Sequence, residues 1–390
     1  MDEVFFSRTD ERGVILSGNY IFRRVANYDW TELLGAPHKL VRHPDMPKGV
    51  FWLWWDGLRR GEAVGAYVKN LAKDGLHYWV FSSVVPCAGG YMSVRIKPTS
   101  PVFEIVQDEY AKLLKLEKEE DIAPEESADL LLTRLRDLGF TTYSQFEAYA
   151  LSEELLARNA GLGRKQDERI DHFKSMLEAA NRLKDATSTL IREFEAVRII
   201  PHNMRVMASR LEPTGGPFNT LSSNYGTMSS EISEWFESHV VGEDSNFSTI
   251  SDSVYRSMFL EGIVGILHQC DVQLNAERRM LGEIDIDAER GIISIIAQEY
   301  RSRSKESLDS IHDETQRIQQ ACKVMSRHVL GLSTARVMCK IESARMGSSG
   351  EGLADIIGQL GRFQDKIGGL LTEIAKLGED IQMTSLKGKG

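Results

Sequence analysis

Hydrophobic and polar residues alternate in short runs over residues 4–97, the pattern of β-strands separated by turns. The first two apolar runs, 4–6 and 14–16, flank a cluster at 10–13 that reads Asp-Glu-Arg-Gly. Because aspartate and glycine favour tight turns, this arrangement predicts a β-hairpin at the start of the chain.

Three later runs of the same character predict further strands. They lie at 65–70, 77–85 and 90–96, with turn residues between them. The stretch 19–60, between the hairpin and these strands, has a more helical pattern. We therefore predict an antiparallel sheet with helices on one face, which is an α+β fold.

From residue 164 onward the apolar residues follow a helical period almost without interruption. The clearest stripe alternates spacings of three and four, in the order Leu308, Ile311, Thr315, Ile318, Cys322, Met325, Val329 and Leu332. This spacing is typical of the seam of a coiled coil or a long helical bundle. Turn signals at 213–217, 282–287 and 347–352 predict four long antiparallel helices, at 164–212, 217–281, 288–346 and 352–384.

The stretch between these two regions is acidic at 111–129, which predicts a helix end and a linker. Two shorter helical patterns follow at 128–138 and 143–157, and Gly139 supplies a C-cap for the first. The predicted domains are 1–110, 111–162 (acidic linker and short helical adaptor) and 163–390 (all-α long antiparallel helical bundle).

The chain has 390 residues and a formal net charge of −10. Residues 1–110 hold 13 basic and 13 acidic residues, and the remainder holds 34 basic and 44 acidic residues. No basic stripe is present that could neutralise phosphates, which argues against nucleic-acid binding.

No run approaches the roughly 18 apolar residues needed to cross a bilayer, and no secretory signal is visible at the N-terminus. The four cysteines, Cys87, Cys270, Cys322 and Cys339, are scattered without Cys-x-x-Cys spacing. We expect them to be reduced and mostly buried thiols. The sequence therefore predicts a cytoplasmic protein without a membrane span.

The most unusual stretch is Val-Arg-His-Pro-Asp-Met-Pro at 41–47. It places a guanidinium, an imidazole and a carboxylate within four positions, and its two prolines stiffen the backbone. Neither a helical nor a strand period explains this order of residues. The pattern predicts an ordered loop or single turn that presents Arg42, His43 and Asp45 inward.

This block, together with four others, resembles the PAS domain of bacterial aerotaxis receptors. The matching segments are 6–13, 35–48, 68–70, 73–80 and 90–95, in the order and spacing of the family. The resemblance covers about the first 110 residues. It implies a PAS sensor domain that binds FAD non-covalently and reports the redox state of this cofactor.

The resemblance also implies a set of site residues. Arg42, His43 and Asp45 correspond to positions that the family needs for flavin binding. Trp55 matches another tryptophan of the family and offers an aromatic face to the flavin ring, and Asn70 offers an amide donor and acceptor. The guanidinium of Arg42 suits pyrophosphate or carbonyl oxygens because it is forked and always charged.

One departure from the family concerns a wall of the cofactor site. Family members carry a tryptophan after Gly-Glu-Pro, whereas this chain has Gly-Glu-Ala followed by Val64. The resemblance thus implies that an aromatic wall is missing here or is supplied by Trp52 or Trp54. Trp79 lies in a strand pattern and is predicted to be structural.

Two of the predicted helix turns, at 208–218 and 344–353, resemble the hairpin tip of chemotaxis receptor signalling domains. A receptor subunit contributes one hairpin, so two hairpins in one chain would close a four-helix bundle within it. The resemblance implies signalling partners such as chemotaxis receptors, their kinase or their coupling protein. The adaptation segments of that family are not recognisable in this chain.

These observations favour a redox or oxygen sensor in chemotaxis-type signal transduction. Two alternatives stay open: a PAS adaptor that binds no cofactor, and a haem-binding PAS sensor in which His38 or His43 ligates iron. PAS domains often pair, so a homodimer through this domain also stays open. No glycine-rich phosphate loop, metal-ligand cluster or nucleophile constellation is recognisable, and we predict no enzymatic activity.

Overall fold

The computed structural model describes residues 2–197, 246–345 and 351–388, together with a few single positions between 206 and 231. The chain forms two compact units. The first contains Met1–Ile170 and Tyr255–Ser307, and the second contains Asp171–Val254 and Leu308–Gly390. This grouping into two units does not test the three domains predicted from the sequence, which stay a prediction.

Five strands of the first unit form one sheet in the order β2-β1-β5-β4-β3. Their bounds are Phe5–Asp10 (β1), Ile15–Gly18 (β2), Val64–Leu71 (β3), His77–Cys87 (β4) and Gly90–Ile96 (β5). Every neighbouring pair is antiparallel, and the strand order is that of the PAS fold. The α+β prediction is confirmed, and each strand lies close to its predicted position.

The hairpin between β1 and β2 shows how local chemistry sets this fold. The Oδ1 atom of Asp10 accepts hydrogen bonds of 2.9 Å from the backbone N–H groups of Arg12 and Val14. Gly13 takes a φ of 79° in this turn, a conformation that glycine adopts without the steric penalty of a side chain. The predicted hairpin is therefore confirmed, with both turn residues in defined roles.

Helices between β2 and β3 cover one face of the sheet. They are α1 (Tyr20–Ala26), α2 (Trp30–Leu33), a 3₁₀ turn (His38–Val41) and α3 (Lys48–Arg59). The motif loop lies between the 3₁₀ turn and α3. The first N–H groups of α3, from Lys48 and Gly49, donate to Oε1 of Glu117 at 2.6 Å and 3.3 Å. A carboxylate from a later helix thus stabilises the positive end of the helix that follows the motif.

Three more helices follow β5: α4 (Pro101–Glu119), α5 (Pro124–Asp137) and α6 (Tyr143–Gly161). Helices α3 and α5 pack so closely that a Cβ atom on Gly49 would lie 2.5 Å from backbone atoms of Ser127 and Ala128. Helix α6 reaches the sheet where Glu154 accepts a 2.8 Å hydrogen bond from the Tyr67 hydroxyl. The helices predicted at 128–138 and 143–157 are confirmed.

The remaining helices are long. They are α7 (Glu168–Val197), α8 (Asn246–Glu277), α9 (Ile286–Arg345) and α10 (Glu351–Gly388), with a 3₁₀ turn (Arg278–Met280) between α8 and α9. The turn predicted at 282–287 is therefore confirmed. The turn predicted at 213–217 and the receptor-like tip at 208–218 lie outside the described residues, as does the centre of the second tip, 346–350.

The second face of the sheet is covered too, by α6 and by the parts of α8 and α9 that belong to the first unit. The side chain of Arg8 in β1 donates to both carboxylate oxygens of Glu289 in α9, at 2.7 to 3.1 Å. A Cβ atom on Gly65 in β3 would lie 2.9 Å from the ring of Phe259 in α8. The prediction of helices on one face only is thus wrong, because helices distant in sequence return to the sheet.

In the second unit the helices run antiparallel to the neighbours they contact. The linking pairs are Arg182–Glu373 and Glu193–Lys366 between α7 and α10, and His312–Gln382 and Arg336–Gly361 between α9 and α10. In each pairing the residue number rises along one helix as it falls along the other. The stripe predicted at 308–332 is buried, apart from the half-buried Val329.

None of the helices in the described part of the chain is long and apolar enough to cross a membrane.

Candidate functional site

A cavity of about 150 Å³ lies between α3 and the face of the sheet that α1 to α3 cover. Its wall combines aromatic and aliphatic side chains with an unusual number of polar ones. The apolar members are Phe51, Trp54, Trp55, Leu58, Val68, Val84 and Tyr91. The polar members are Ser7, Thr9, His38, Lys39, Arg42, Asn70, Ser82, Ser93 and Arg95.

Arg95 is the most unusual member of this wall, because its side chain is charged and only 4% exposed. Its Nη2 atom donates to Ser7 Oγ at 2.9 Å and lies 2.8 Å from His38 Nε2. Its Nη1 atom has no hydrogen-bond partner among the described residues. Burial lowers the pKa of Arg95 to about 10, so the guanidinium still carries its charge at neutral pH.

His38 is held neutral beside this charge. Burial, and then the nearby charge of Arg95, lower the pKa of His38 to about 3. Because a guanidinium nitrogen only donates, Nε2 of His38 must accept from it, which places the ring proton on Nδ1. The ring also stacks on Phe22 with centroids 5.7 Å apart. The imidazole is thus fixed in one tautomer and one orientation.

Arg42, the first of the predicted site residues, lies in the cavity wall. Its guanidinium carbon sits 3.6 Å from the centroid of the Phe51 ring, a cation–π contact with a residue of α3. Its backbone bridges to that of Asn70 in β3. Burial lowers the pKa of Arg42, an effect opposed by the carboxylate of Glu117.

Asn70 and Trp55 line the same cavity at different depths. Asn70 is 4% exposed, whereas Trp55 is 40% exposed and meets Tyr91 edge to face, with ring centroids 5.5 Å apart. The structure therefore brings Arg42, Trp55 and Asn70 together around one space. Asn70 supplies an amide in the buried part, and Trp55 supplies an aromatic ring near the surface.

His43 and Asp45, the other two predicted site residues, do not line the cavity. The Nδ1 atom of His43 accepts a 3.0 Å hydrogen bond from the backbone N–H of Asp45. The side chain of Asp45 accepts from Nζ of Lys118 at 3.2 Å, and this contact lowers the pKa of Asp45. These bonds hold the shape of the loop that carries Arg42. Asp45 is exposed, so the prediction that the loop presents all three side chains inward is wrong.

The structure settles the question about the wall near Val64. Val64 is buried in a cluster with Leu58 and Val84, and Trp54 packs against this cluster. Trp54 lines the cavity, whereas Trp52 does not. An aromatic wall next to Val64 is therefore supplied by α3.

Sequence analysis missed Ser7 and Arg95, and it considered His38 only as an iron ligand. One signal was available: β1, β4 and β5 each carry serine, threonine or arginine at alternate positions that face the helices α1 to α3. Strand residues on a face that helices cover are normally apolar. A polar face under a helical layer is therefore a sign of an internal site.

The polar groups of the cavity fit one edge of a flavin, but the cavity is too small for the whole flavin ring system. An engineered cavity of about 150 Å³ holds a molecule as large as benzene, so a three-ring system needs more room. The exposed side chain of Trp55 borders the space and is the group whose movement would enlarge it. The amide of Asn70 and the free N–H groups of Arg95 match the carbonyl and ring-nitrogen acceptors of a pyrimidine-type edge.

Other chemistry has less support in the described residues. They contain no group of three side chains that could hold a metal ion. All four cysteines are free, with Cys87 partly buried and the other three buried, as the sequence predicted. Burial raises the pKa of Cys87, Cys322 and Cys339 to about 11, so these thiols stay protonated and weakly reactive at neutral pH.

Among curated proteins, the chain is similar to the aerotaxis receptor of Escherichia coli strain K12, with 40% identity over 117 residues. The match lies in the PAS region and covers 29% of this chain and 23% of the receptor. No protein-family model matches the chain. The N-terminal region is a PAS domain joined to a helical region.

Three solved structures similar to the chain are PAS or light-oxygen-voltage domains. A PAS domain from Colwellia psychrerythraea is 20% identical and covers 25% of this chain and 86% of its own, with a TM-score of 0.22. A light-oxygen-voltage domain studied with a flavin analogue is 22% identical and covers 30% and 89%, with a TM-score of 0.24. The corresponding domain of an Erythrobacter litoralis blue-light activated histidine kinase is 14% identical and covers 24% and 90%, with a TM-score of 0.22.

Proposed function

We propose that this PAS-domain signalling protein is a redox sensor that binds FAD in the cavity and transmits the redox state of the flavin to its helices. It acts as a sensor of redox or oxygen conditions and not as an enzyme. The observation that carries the proposal is the meeting of Arg42, Asn70 and Trp55 around one cavity, in a domain 40% identical to the PAS region of an aerotaxis receptor.

Each residue contributes a different interaction to this site. Bound flavin would supply the electron-accepting ring, and the protein would bind and orient it. Asn70 offers its amide to the polar edge of the ring, and Trp55 covers an aromatic face. Arg42, at the exposed part of the wall, offers a forked cation to phosphate or carbonyl oxygens.

The transmission step that we propose uses the alternation of side chains along β1. Ser7 faces the cavity and accepts from Arg95, while the next residue, Arg8, faces the helices and binds Glu289 in α9. One peptide unit therefore separates a cavity contact from a helix contact. A shift of β1 that follows a change at the ligand would alter the Arg8–Glu289 pair, whose carboxylate is 4% exposed.

The binding step is tested by titrating the purified, flavin-stripped chain with FAD and recording the visible spectrum and the quenching of flavin fluorescence. We expect saturable binding by the wild type and at least tenfold weaker binding by Arg42→Ala. Arg24→Ala, which removes an exposed arginine paired with Glu3, is the matched control and should bind as the wild type does. A chain that takes up no FAD contradicts the proposed function.

The transmission step is tested by hydrogen exchange of the full chain with oxidised and with dithionite-reduced flavin. We expect peptides of α9 near Glu289 to exchange differently in the two states, and the difference to disappear in Glu289→Gln. Asp287→Asn breaks an exposed pair with Arg278 on the same hairpin and is the control. Equal exchange in both states of the wild type would rule out this route.

The haem alternative receives less support from the geometry. The Nε2 atom of His38, which would have to bind iron, already accepts from Arg95, and His43 lies outside the cavity wall. Iron binding at His38 would therefore remove one of the two hydrogen-bond partners of Nη2 of the buried Arg95 and leave it only Ser7. A Soret band in the purified chain would favour haem over flavin.

We further propose that the helical region carries the output by binding other signalling proteins. Chemotaxis receptors, their kinase or their coupling protein are the partners that the receptor-like hairpins favour. Co-sedimentation of the full chain with a reconstituted array of receptor, kinase and coupling protein tests this, with oxidised and reduced flavin compared. If the chain is absent from the pelleted array in both states, the proposed output through these partners is wrong.

A further inference from the structure

The cavity carries an uncompensated positive charge. Three cations lie in its wall, Lys39, Arg42 and Arg95, and none of the described wall residues is acidic. Lys39 and Arg42 are both exposed, so water screens these two charges, and Glu117 further offsets that of Arg42. Arg95 is buried, and neither a carboxylate hydrogen bond nor an ion pair is found for it among the described residues. The imbalance is therefore concentrated at Arg95.

A buried guanidinium without an anion is costly for a folded protein. Breaking a buried ion pair so that one charge remains is strongly destabilising, and buried donors are almost always satisfied. Arg95 has both features at once, since its Nη1 atom finds no acceptor in the described part of the chain. Its polar neighbours, Ser7 and His38, are neutral, and its guanidinium carbon also lies 5.6 Å from the centroid of the uncharged Phe22 ring.

We propose that Arg95, oriented by His38 and Ser7, is the subsite that binds an anionic or acceptor-only edge of the ligand in this cavity. His38 and Ser7 occupy Nη2, and so direct the free N–H groups of Nη1 to the ligand. A ligand with a hydrogen-bond donor at this position would be rejected, because the guanidinium of Arg95 has only N–H donors and no acceptor. Arg95 thus determines which class of ligand the cavity accepts.

The class of ligand follows from this donor set and from the aromatic wall. It is a planar ring with adjacent acceptor atoms on one edge, such as the carbonyl and ring nitrogen of a flavin, or a ring that carries a carboxylate. The inference rests on the proposed function only for the choice of FAD among such ligands. A small carboxylate shares the acceptor chemistry and tests the subsite without any ring.

The first arm of the experiment is titration of the flavin-stripped full chain with FAD. We expect Arg95→Met to bind at least a hundredfold more weakly than the wild type, and Arg95→Lys, which keeps the charge without the fork, to recover part of the loss. Arg24→Met removes an exposed arginine that lies outside the cavity wall and should change affinity less than threefold. Binding by Arg95→Met within threefold of the wild type overturns the proposal while leaving FAD binding intact.

The second arm uses formate as the probe and follows the imidazole signals of His38 by NMR, in the chain without FAD. We expect a saturable shift in the wild type and in Arg24→Met, and a weaker shift in Arg95→Lys at the same formate concentration, because the single ammonium keeps the charge but lacks the forked geometry. If FAD fails to bind but formate gives this pattern, the proposed function is wrong and the acceptor subsite stands. If neither probe binds the wild type, both are wrong.

Discussion

Each face of the PAS sheet buries an ionisable side chain, Glu154 on one and Arg95 on the other, and the two differ in how completely they are hydrogen-bonded. On the face that meets α6, Glu154 is fully buried and accepts hydrogen bonds from Tyr67, Ser100 and the backbone of Thr99. On the cavity face, Arg95 is equally buried and keeps one terminal nitrogen without a partner. A buried charge whose hydrogen bonds are complete stabilises the fold, whereas an incomplete one identifies the place where a ligand would supply the missing partner.

The largest effect in this comparison is expected from Glu154→Ala. The substitution leaves two buried hydroxyls and two backbone N–H groups without their acceptor, and each such loss costs about 1–3 kcal/mol. We expect the free energy of unfolding of the first unit to fall by about 4 kcal/mol. Urea unfolding followed by tryptophan fluorescence measures this. Glu154→Gln keeps one acceptor oxygen and should lose about half as much.

The next effect depends on pH and concerns Glu147, a buried acid of α6 that accepts a 2.7 Å bond from the N–H of Gly65. Burial raises the pKa of Glu147 well above its usual 4.5, so the native state keeps a proton that the unfolded chain releases. Stability therefore falls as the pH rises above the unfolded pKa. We expect Glu147→Gln to match the wild type in stability near pH 4 and to exceed it at pH 8. Urea unfolding curves at the two pH values provide the measurement, and parallel pH profiles would contradict the assignment.

A smaller effect is expected on the cavity face, where a substitution should raise stability and not lower it as Glu154→Ala does. Arg95→Met removes an unpaired buried charge, so the ligand-free chain should become about 1 kcal/mol more stable. With saturating FAD the order should reverse, because only the wild type gains the stabilisation of a tightly bound ligand. Thermal unfolding with and without FAD measures both. A ligand-free variant that is markedly less stable than the wild type would show that Arg95 is structural.

The smallest effect is expected at the motif loop. Asp45→Asn weakens an ion pair with Lys118 in which both side chains are about half exposed or more, and such pairs contribute less than about 1 kcal/mol. We expect unchanged stability and a loss of FAD affinity below tenfold, smaller than that of Arg42→Ala. The FAD titration provides the ratio. A larger loss for Asp45→Asn would mean that the carboxylate itself reaches the ligand.

The strands and the hairpin were predictable because local sequence determines them. Alternation gave the positions of β3, β4 and β5, and the Asp-Glu-Arg-Gly cluster gave the turn after β1. The long helical stripe was predictable for the same reason, since a three-four spacing requires one buried face. These features depend on residues near each other in the chain.

The covering of the second sheet face was not predictable, because it depends on residues more than 80 positions apart. Glu289 and Phe259 look like ordinary members of a helical pattern, and nothing near them indicates β1 or β3 as the partner. Glu147 and Glu154 likewise resemble surface acids of an amphipathic helix. Only the tertiary fold reveals that they are buried.

The candidate site was predictable in part. The motif drew attention to Arg42 because prolines and mixed charges are unusual together, but the same signal drew attention to His43 and Asp45, whose contacts are within the protein. Arg95 was missed because an arginine at an alternate strand position normally reaches solvent. Its burial follows from the helices α1 to α3 above it, which strand periodicity alone does not report.

The alternation along β1 has an evolutionary consequence. Ser7 and Thr9 border the cavity, and Arg8 between them contacts α9, so selection can change one set without disturbing the other. New ligand preferences could arise by substitutions at the first set while the inherited connection to the helices is retained. A domain built in this way is a suitable starting point for engineered sensors, in which the recognised compound is exchanged and the readout is kept.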